Sequence, residues 1–175
     1  MNLANSQLAA KKIRLLVLDV DGVLTDGSIY YGNSGDELKA FNIQDGLGIK
    51  LLQGAGIEVA IITGRSSTLL SRRSDELGIQ RLIQGREDKL TALHELLADE
   101  AYTLDEIAYM GDDLPDLAAI RRVGLGMTVA NASTTVAEHA LWQARRDGGR
   151  GAVREAAEFI LQAQGKLEQA IAPFL

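Results

Sequence analysis

Short apolar runs alternate along the chain with stretches whose apolar residues recur every three or four positions. The clearest run, Ile13 to Leu18 broken only by Arg14, is too short for a helix with a polar face and is rich in branched residues. It reads as a strand buried on both faces, as in a parallel sheet. Ile57 to Ile62, Arg81 to Ile83, Ile107 to Met110, Val123 to Met127 and Ala140 to Trp142 read as further strands, the last at an edge. Helices are expected over about residues 47–55, 67–77, 87–99, 115–122 and 133–139, with Pro115 suited to a first turn. A last helix starts near Ala152, where Val153, Ala156, Ala157, Ile160 and Leu161 share one face. Ser28 to Tyr31 and Glu37 to Phe41 flank Gly32-Asn33-Ser34-Gly35-Asp36, which predicts a hairpin hanging over the end of the first strand. Asn42 to Gly46 reads as a polar loop, residues 1–11 as a short polar helix or arm, and the tail from Gln164 to Leu175 has no predicted place. Strands alternating with helices predict an α/β fold: one domain over residues 1–175, with a mostly parallel central sheet covered on both faces by right-handed crossovers.

Composition narrows the function more than the fold. A chain of 175 residues, 46% hydrophobic and 24% charged, supports one ordinary globular core. The net charge of −6 leaves no broad basic field for nucleic acid or an anionic membrane, so an anionic substrate needs local cations. No cysteine is present, which excludes disulfides and thiolate metal sites and fits a reducing compartment. No signal-like segment is read in Met1 to Lys12, and no run approaches a membrane span. The expectation is a cytoplasmic protein with neither a nucleic-acid nor a membrane partner.

The chemistry gathers at strand ends. The first strand empties into Asp19 and Asp21, and two carboxylates this close raise one another's pKa unless a cation joins them. A hard divalent ion such as Mg²⁺ would do so. A solvated Asp-Val-Asp-Gly turn is the plain alternative, and these four residues leave both open. Two more strands end in Thr63 and in Asp112-Asp113. Parallel strands share a direction, so all three ends fall on one edge of the sheet, and Lys89 at a helix start can reach it. Carboxylates, a hydroxyl and an ammonium in one pocket suit phosphoryl transfer through a nucleophilic carboxylate.

Asp19-Val20-Asp21-Gly22-Val23-Leu24-Thr25-Asp26-Gly27 resembles the first motif of the haloacid dehalogenase-like phosphatases. Thr63-Gly64-Arg65 resembles the second motif, Lys89 the third and Gly111-Asp112-Asp113-Leu114-Pro115-Asp116 the fourth, in the family's order. The resemblance implies the family's three-layer Rossmann-like fold and a Mg²⁺ cofactor. It makes Asp19 the nucleophile and Asp21 the general acid and base. Asp19, the Asp21 main-chain carbonyl and Asp112 are the implied metal ligands. Thr63 and Gly64 would bind phosphoryl oxygens, and Lys89 would pair with Asp19 and the phosphate. Asp113 and Asp116 would support the ligands or cap the helix.

Only the hairpin separates the first motif from the first following helix, so the chain resembles the capless subclass. Phe41-Asn42-Ile43-Gln44-Asp45-Gly46, Gln84-Gly85 and Gly148-Gly149-Arg150-Gly151-Ala152-Val153-Arg154-Glu155 extend the likeness over about residues 12–163. It implies a small phosphorylated sugar acid as substrate, an eight-carbon keto-deoxy acid phosphate, contacted by Asn42, Ile43, Gln44, Asp45, Gly46, Lys50, Gly64, Arg65, Arg73 and Lys89. Arginine suits the carboxylate of such an acid. The resemblance also implies a homotetramer in which a neighbouring subunit completes each site. A nine-carbon analogue as substrate, or a non-catalytic module of the same fold, stays open here.

Overall fold

The computed structural model describes residues 3–35, 37–98 and 100–175. Asp36 of the expected hairpin turn, Asp99 at an expected helix end, and Met1 and Asn2 of the arm lie outside the described residues. In chain order the strands are β1 (Leu15–Leu18), β2 (Tyr30–Tyr31), β3 (Glu37–Leu38), β4 (Glu58–Ile62), β5 (Arg81–Ile83), β6 (Ile107–Met110), β7 (Leu125–Thr128) and β8 (Trp142–Gln143). The helices are α1 (Leu3–Ala10), α2 (Ile43–Gly54), α3 (Thr68–Leu77), α4 (Lys89–Leu97), α5 (Leu114–Ile120), α6 (Thr134–His139), α7 (Ala152–Ala163) and α8 (Leu167–Ile171).

Six strands form one parallel sheet in the order β5-β4-β1-β6-β7-β8, while β2 and β3 pair antiparallel as a separate hairpin. Alternation along each central strand feeds two cores. Leu16, Leu18, Val59, Ile61, Ala108 and Met110 meet the helices α2 and α7 on one face. Leu15, Val17, Ala60, Ile62, Ile107 and Tyr109 meet α4, α5 and α6 on the other. The result is three layers with no cap domain among the described residues. None of their helices is long and apolar enough to cross a membrane.

The register positions the chemistry. Leu18 stands beside Ile61 on one side and Met110 on the other. The residues that follow, Asp19, Thr63 and Asp112, therefore leave the sheet at nearly one level.

Two elements depart from expectation. The segment from Asn42 to Gly46 is not a loop: Asn42 caps α2 by accepting the Gln44 N–H at 2.7 Å, so the helix begins four residues before the expected 47. Its polar residues and Gly46 obscured this, since glycine weakens a helix interior. Gly48 is there for contact: a Cβ on it would lie 2.9 Å from Arg154 Cα on α7, and α7 packs flush against it. The tail, unplaced by sequence, is tied down by Gln164, whose amide donates to the carbonyls of Ala10 (3.1 Å) and Ile13 (2.7 Å), and by Lys166 on the Ala55 carbonyl at 3.1 Å.

Replacing Gly48 by valine raises helix propensity but forces α2 and α7 apart, and overpacking wins, at about 1–3 kcal/mol. Thermal unfolding followed by circular dichroism should show G48V melting several degrees lower than wild type; an unchanged Tm would mean the two helices part at no cost.

Candidate active site

The turn after β1 is knotted on one carbonyl. Val20 O accepts N–H groups from Val23 (3.2 Å), Leu24 (2.9 Å) and Thr25 (3.0 Å). The Thr25 hydroxyl donates to the same oxygen at 3.3 Å and accepts from Gly27 N at 3.2 Å. This fixes Asp19 and Asp21 at the sheet edge. Gly22 adopts φ +97°, and any side chain there would collide with the Asp112 carboxylate. Glycine is thus required twice over, by dihedral and by contact. The late glycines buttress this turn from outside. Gly149 N donates to Val23 O at 2.9 Å, and a Cβ on Gly148 would strike the Gly22 carbonyl.

Behind the turn lies a buried charge network. Lys89, at the start of α4, places Nζ 2.7 Å from Asp19 Oδ1 and 2.9 Å from Asp116 Oδ1. Tyr109, wholly buried on β6, donates its hydroxyl to the same Asp116 oxygen at 2.8 Å. Asp116 Oδ2 accepts the amides of Asp112 (3.2 Å) and Asp113 (3.4 Å), and Asp113 caps α5 in return. Asp116 reaches this place because Gly111 leaves room for it.

Charge in this network is unbalanced. Burial, and repulsion from Asp116, push the Asp19 carboxyl up to about 6 although Lys89 pulls it down. Asp112 is pushed up to about 7 by burial and by the neighbouring Asp19, Asp116 and Asp113. Burial also opposes the charge on Lys89, but Asp19 and Asp116 outweigh it and raise the lysine above its ordinary value. Three carboxylates share one lysine. Carboxylate oxygens of Asp19, Asp112 and Asp116 lie within 4.8 Å of one another, a spacing that suits a hard cation. Asp116 has both oxygens occupied by lysine, tyrosine and amides, so Asp19 and Asp112 are the side chains left to ligate an ion.

These groups open onto a cleft of about 330 Å³ whose lining includes Asp19, Asp21, Thr63, Gly64, Arg65, Lys89, Asp112, Asp113 and Asp116. All four motifs thus meet in one place. The expected substrate contacts divide. Gly64 and Arg65 line the cleft; Asn42, Ile43, Gln44, Asp45, Gly46, Lys50 and Arg73 do not. Ile43 is 83% exposed, and Gln44 accepts Arg146 Nη1 at 3.1 Å. Asp45 is 1% exposed and accepts the Gly151 and Arg154 amides at 3.3 and 2.9 Å, so it caps α7 rather than facing the cleft. Arg73 lies against Gly46 and over the Phe41 ring, 5.9 Å from its centroid. Lys50 stands on α2 with Nζ near Gly78.

Sequence reasoning missed Lys39, Glu37 and Tyr109. Lys39 donates to Asp21 Oδ1, and Arg65 Nη2 donates to Glu37 Oε1 at 3.2 Å. Tyr109 lay hidden inside an apolar strand, where an aromatic reads as core.

A family model described as haloacid dehalogenase-like hydrolase matches residues 81–153. The 3-deoxy-D-manno-octulosonate 8-phosphate phosphatase KdsC of Yersinia pestis is 53% identical over 161 residues, 92% of this chain and 86% of that one. The crystal structure of 3-deoxy-D-manno-octulosonate 8-phosphate phosphatase from Moraxella catarrhalis, in complex with a magnesium ion, a phosphate ion and a KDO molecule, superimposes with a TM-score of 0.97 at 46% identity, covering 99% of this chain and 100% of that one. The cobalt-bound form of the deoxy-D-mannose-octulosonate 8-phosphate phosphatase from Haemophilus influenzae gives 0.89 at 40% identity, covering 94% and 99%. Motif geometry, whole-chain identity and shared fold agree: the chain belongs to the haloacid dehalogenase-like hydrolases, in the family of the 3-deoxy-D-manno-octulosonate 8-phosphate phosphatases.

Proposed function

We propose that this chain is a magnesium-dependent phosphomonoesterase that hydrolyses 3-deoxy-D-manno-octulosonate 8-phosphate to the free sugar acid and phosphate, in lipopolysaccharide precursor synthesis. One observation carries the reading: Asp19 sits buried at the end of β1 with Oδ1 held 2.7 Å from Lys89 while the residue lines the cleft that a phosphoryl group would enter. The names of the relatives support the eight-carbon substrate over its nine-carbon analogue.

The residues divide the work. Thr63 and Gly64 receive phosphoryl oxygens, and Lys89 neutralises part of their charge. Asp19 Oδ2 attacks phosphorus. The bond to the sugar oxygen breaks, its electron pair stays on that oxygen, and Asp21 supplies the proton. Asp21 then takes a proton from water, which attacks the aspartyl-phosphate, releasing phosphate and restoring Asp19. Magnesium, held by Asp19, Asp112 and the Asp21 main-chain oxygen, supplies further charge neutralisation when bound. The donor set fits it: two carboxylates held above their ordinary pKa by burial and by neighbouring carboxylates gain from a divalent cation.

Arg65 lines the cleft, which supports a contact with the substrate carboxylate. Asn42, Ile43, Gln44, Gly46, Lys50 and Arg73 form a strip outside their own chain's cleft, with Asp45 beneath it. We assign this strip to the cleft of a neighbouring subunit in a homotetramer. The exposed Ile29, Tyr30, Tyr31 and Leu38 on the hairpin support such a contact. The cysteine-free composition supports a cytoplasmic location.

Phosphate release from a panel of sugar phosphates tests the function. Expected is a kcat/KM highest for the eight-carbon keto-deoxy acid phosphate, lost on the order of a thousandfold or more in D19N because an amide is a poor nucleophile. D19N turnover within tenfold of wild type would exclude the covalent route. Magnesium should raise Tm, and more at about pH 8 than at about pH 5, because binding needs ionised carboxylates that Asp19 and Asp112 lose below about 6 and 7. Equal shifts at both pH values would place the ion elsewhere. Light scattering should give four times the monomer mass; a monomer would leave the strip without a partner site.

A further inference from the structure

The network around Lys89 leaves out one member of the machinery. Asp21 is two residues from Asp19 yet takes no part in the buried ion pairs with Lys89. Its partner comes from a different element. Lys39, just past β3 of the hairpin, bonds to Asp21 Oδ1, and its side chain is only 4% exposed. On the other side, Arg65 Nε stands 3.9 Å from Asp21 Oδ2.

The hairpin is built to deliver that lysine. It rests on a two-residue ladder, Tyr30 beside Leu38 and Tyr31 beside Glu37, too little to order itself. Leu38 is 64% exposed while the adjacent Lys39 is turned inward. That inverts the usual pattern, in which the apolar neighbour faces in and the lysine faces water. Burying a lysine costs free energy unless it finds a carboxylate, and the carboxylate it finds is Asp21. Glu37 holds the same seam, 3.8 Å from Lys39 Nζ and 3.2 Å from Arg65 Nη2.

We infer that Lys39 is a positioning residue for Asp21: by occupying Oδ1 from the hairpin, it holds the carboxyl in the one orientation in which Oδ2 can exchange a proton with the leaving sugar oxygen. Asp21 is partly exposed, and without Lys39 its side chain is free to turn to solvent. The proton balance is that of the main reaction. It moves from Asp21 to the sugar oxygen as the P–O bond breaks, and Lys39 keeps all its own protons. The inference rests on the phosphomonoesterase reading above.

The plain alternative is that Lys39 only staples the hairpin in place. The two are separated by comparing kcat/KM on an alkyl phosphate, the sugar acid phosphate, with kcat/KM on p-nitrophenyl phosphate. The nitrophenolate leaves without protonation, so its kcat/KM does not sense a misplaced acid. K39M should lose at least ~10-fold more kcat/KM on the sugar phosphate than on the aryl phosphate, a modest share of what general acid catalysis supplies. K39R, which keeps a cation on Asp21, should recover most of that ratio. E37Q, which loosens the seam but leaves Lys39 in place, should keep the wild-type ratio. Equal losses on both substrates in K39M, or the same skew in E37Q as in K39M, would overturn the assignment in favour of the staple. Wild-type enzyme inert on both substrates would instead overturn the phosphatase reading itself.

Discussion

Three carboxylates and one lysine set the terms for the rest of this molecule. Burying Asp19, Asp112 and Asp116 close together is unfavourable, because each loses water and repels the others. Lys89 relieves two of them, and the Tyr109 hydroxyl with two backbone amides satisfies what remains of Asp116. Asp112 feels Lys89 only through space, without a hydrogen bond from it, and both Asp112 and Asp19 stay above the ordinary carboxylate range. The excess negative charge is stored where a cation and a phosphoryl group are to be handled. A site electrically neutral by itself would have less to gain from a cation.

Holding like charges together requires a frame that does not yield. The parallel register supplies the coarse placement, bringing the ends of β1, β4 and β6 to one level. Close backbone approach supplies the fine placement. Gly22 and Gly111 give the Asp112 and Asp116 side chains their room, and Gly148 and Gly149 brace the first turn from the far side of the chain. Any side chain at these positions would separate the groups that the charge network needs within 3 Å of one another.

The hairpin stands apart from this rigid frame. Its ladder is minimal, its outer residues are apolar and exposed, and its hold on the body is a seam of ions among Lys39, Glu37, Asp21 and Arg65. Each element of the site therefore has its own means of attachment: packing and glycine contact for Asp19 and Asp112, charge for Asp21.

The sequence by itself determined the alternating fold and the common level of the strand ends, and with them that Asp19, Asp21, Thr63 and Asp112 meet at one edge with Lys89 in reach. Those features are written in local periodicity and in the polar residues that close each apolar run. Only the tertiary structure decided which carboxylates pair with which cation. Lys39 meets Asp21 across 18 residues and Asp45 caps α7 across more than 100, and no local pattern encodes either meeting. Asn42 to Gly46 shows the limit from the other side: a polar stretch that reads as a loop is a helix start, because the partners that bury Asp45, the Gly151 and Arg154 amides, lie far along the chain. Periodicity reports what one segment prefers, whereas burial and ion pairing depend on what the fold brings against it.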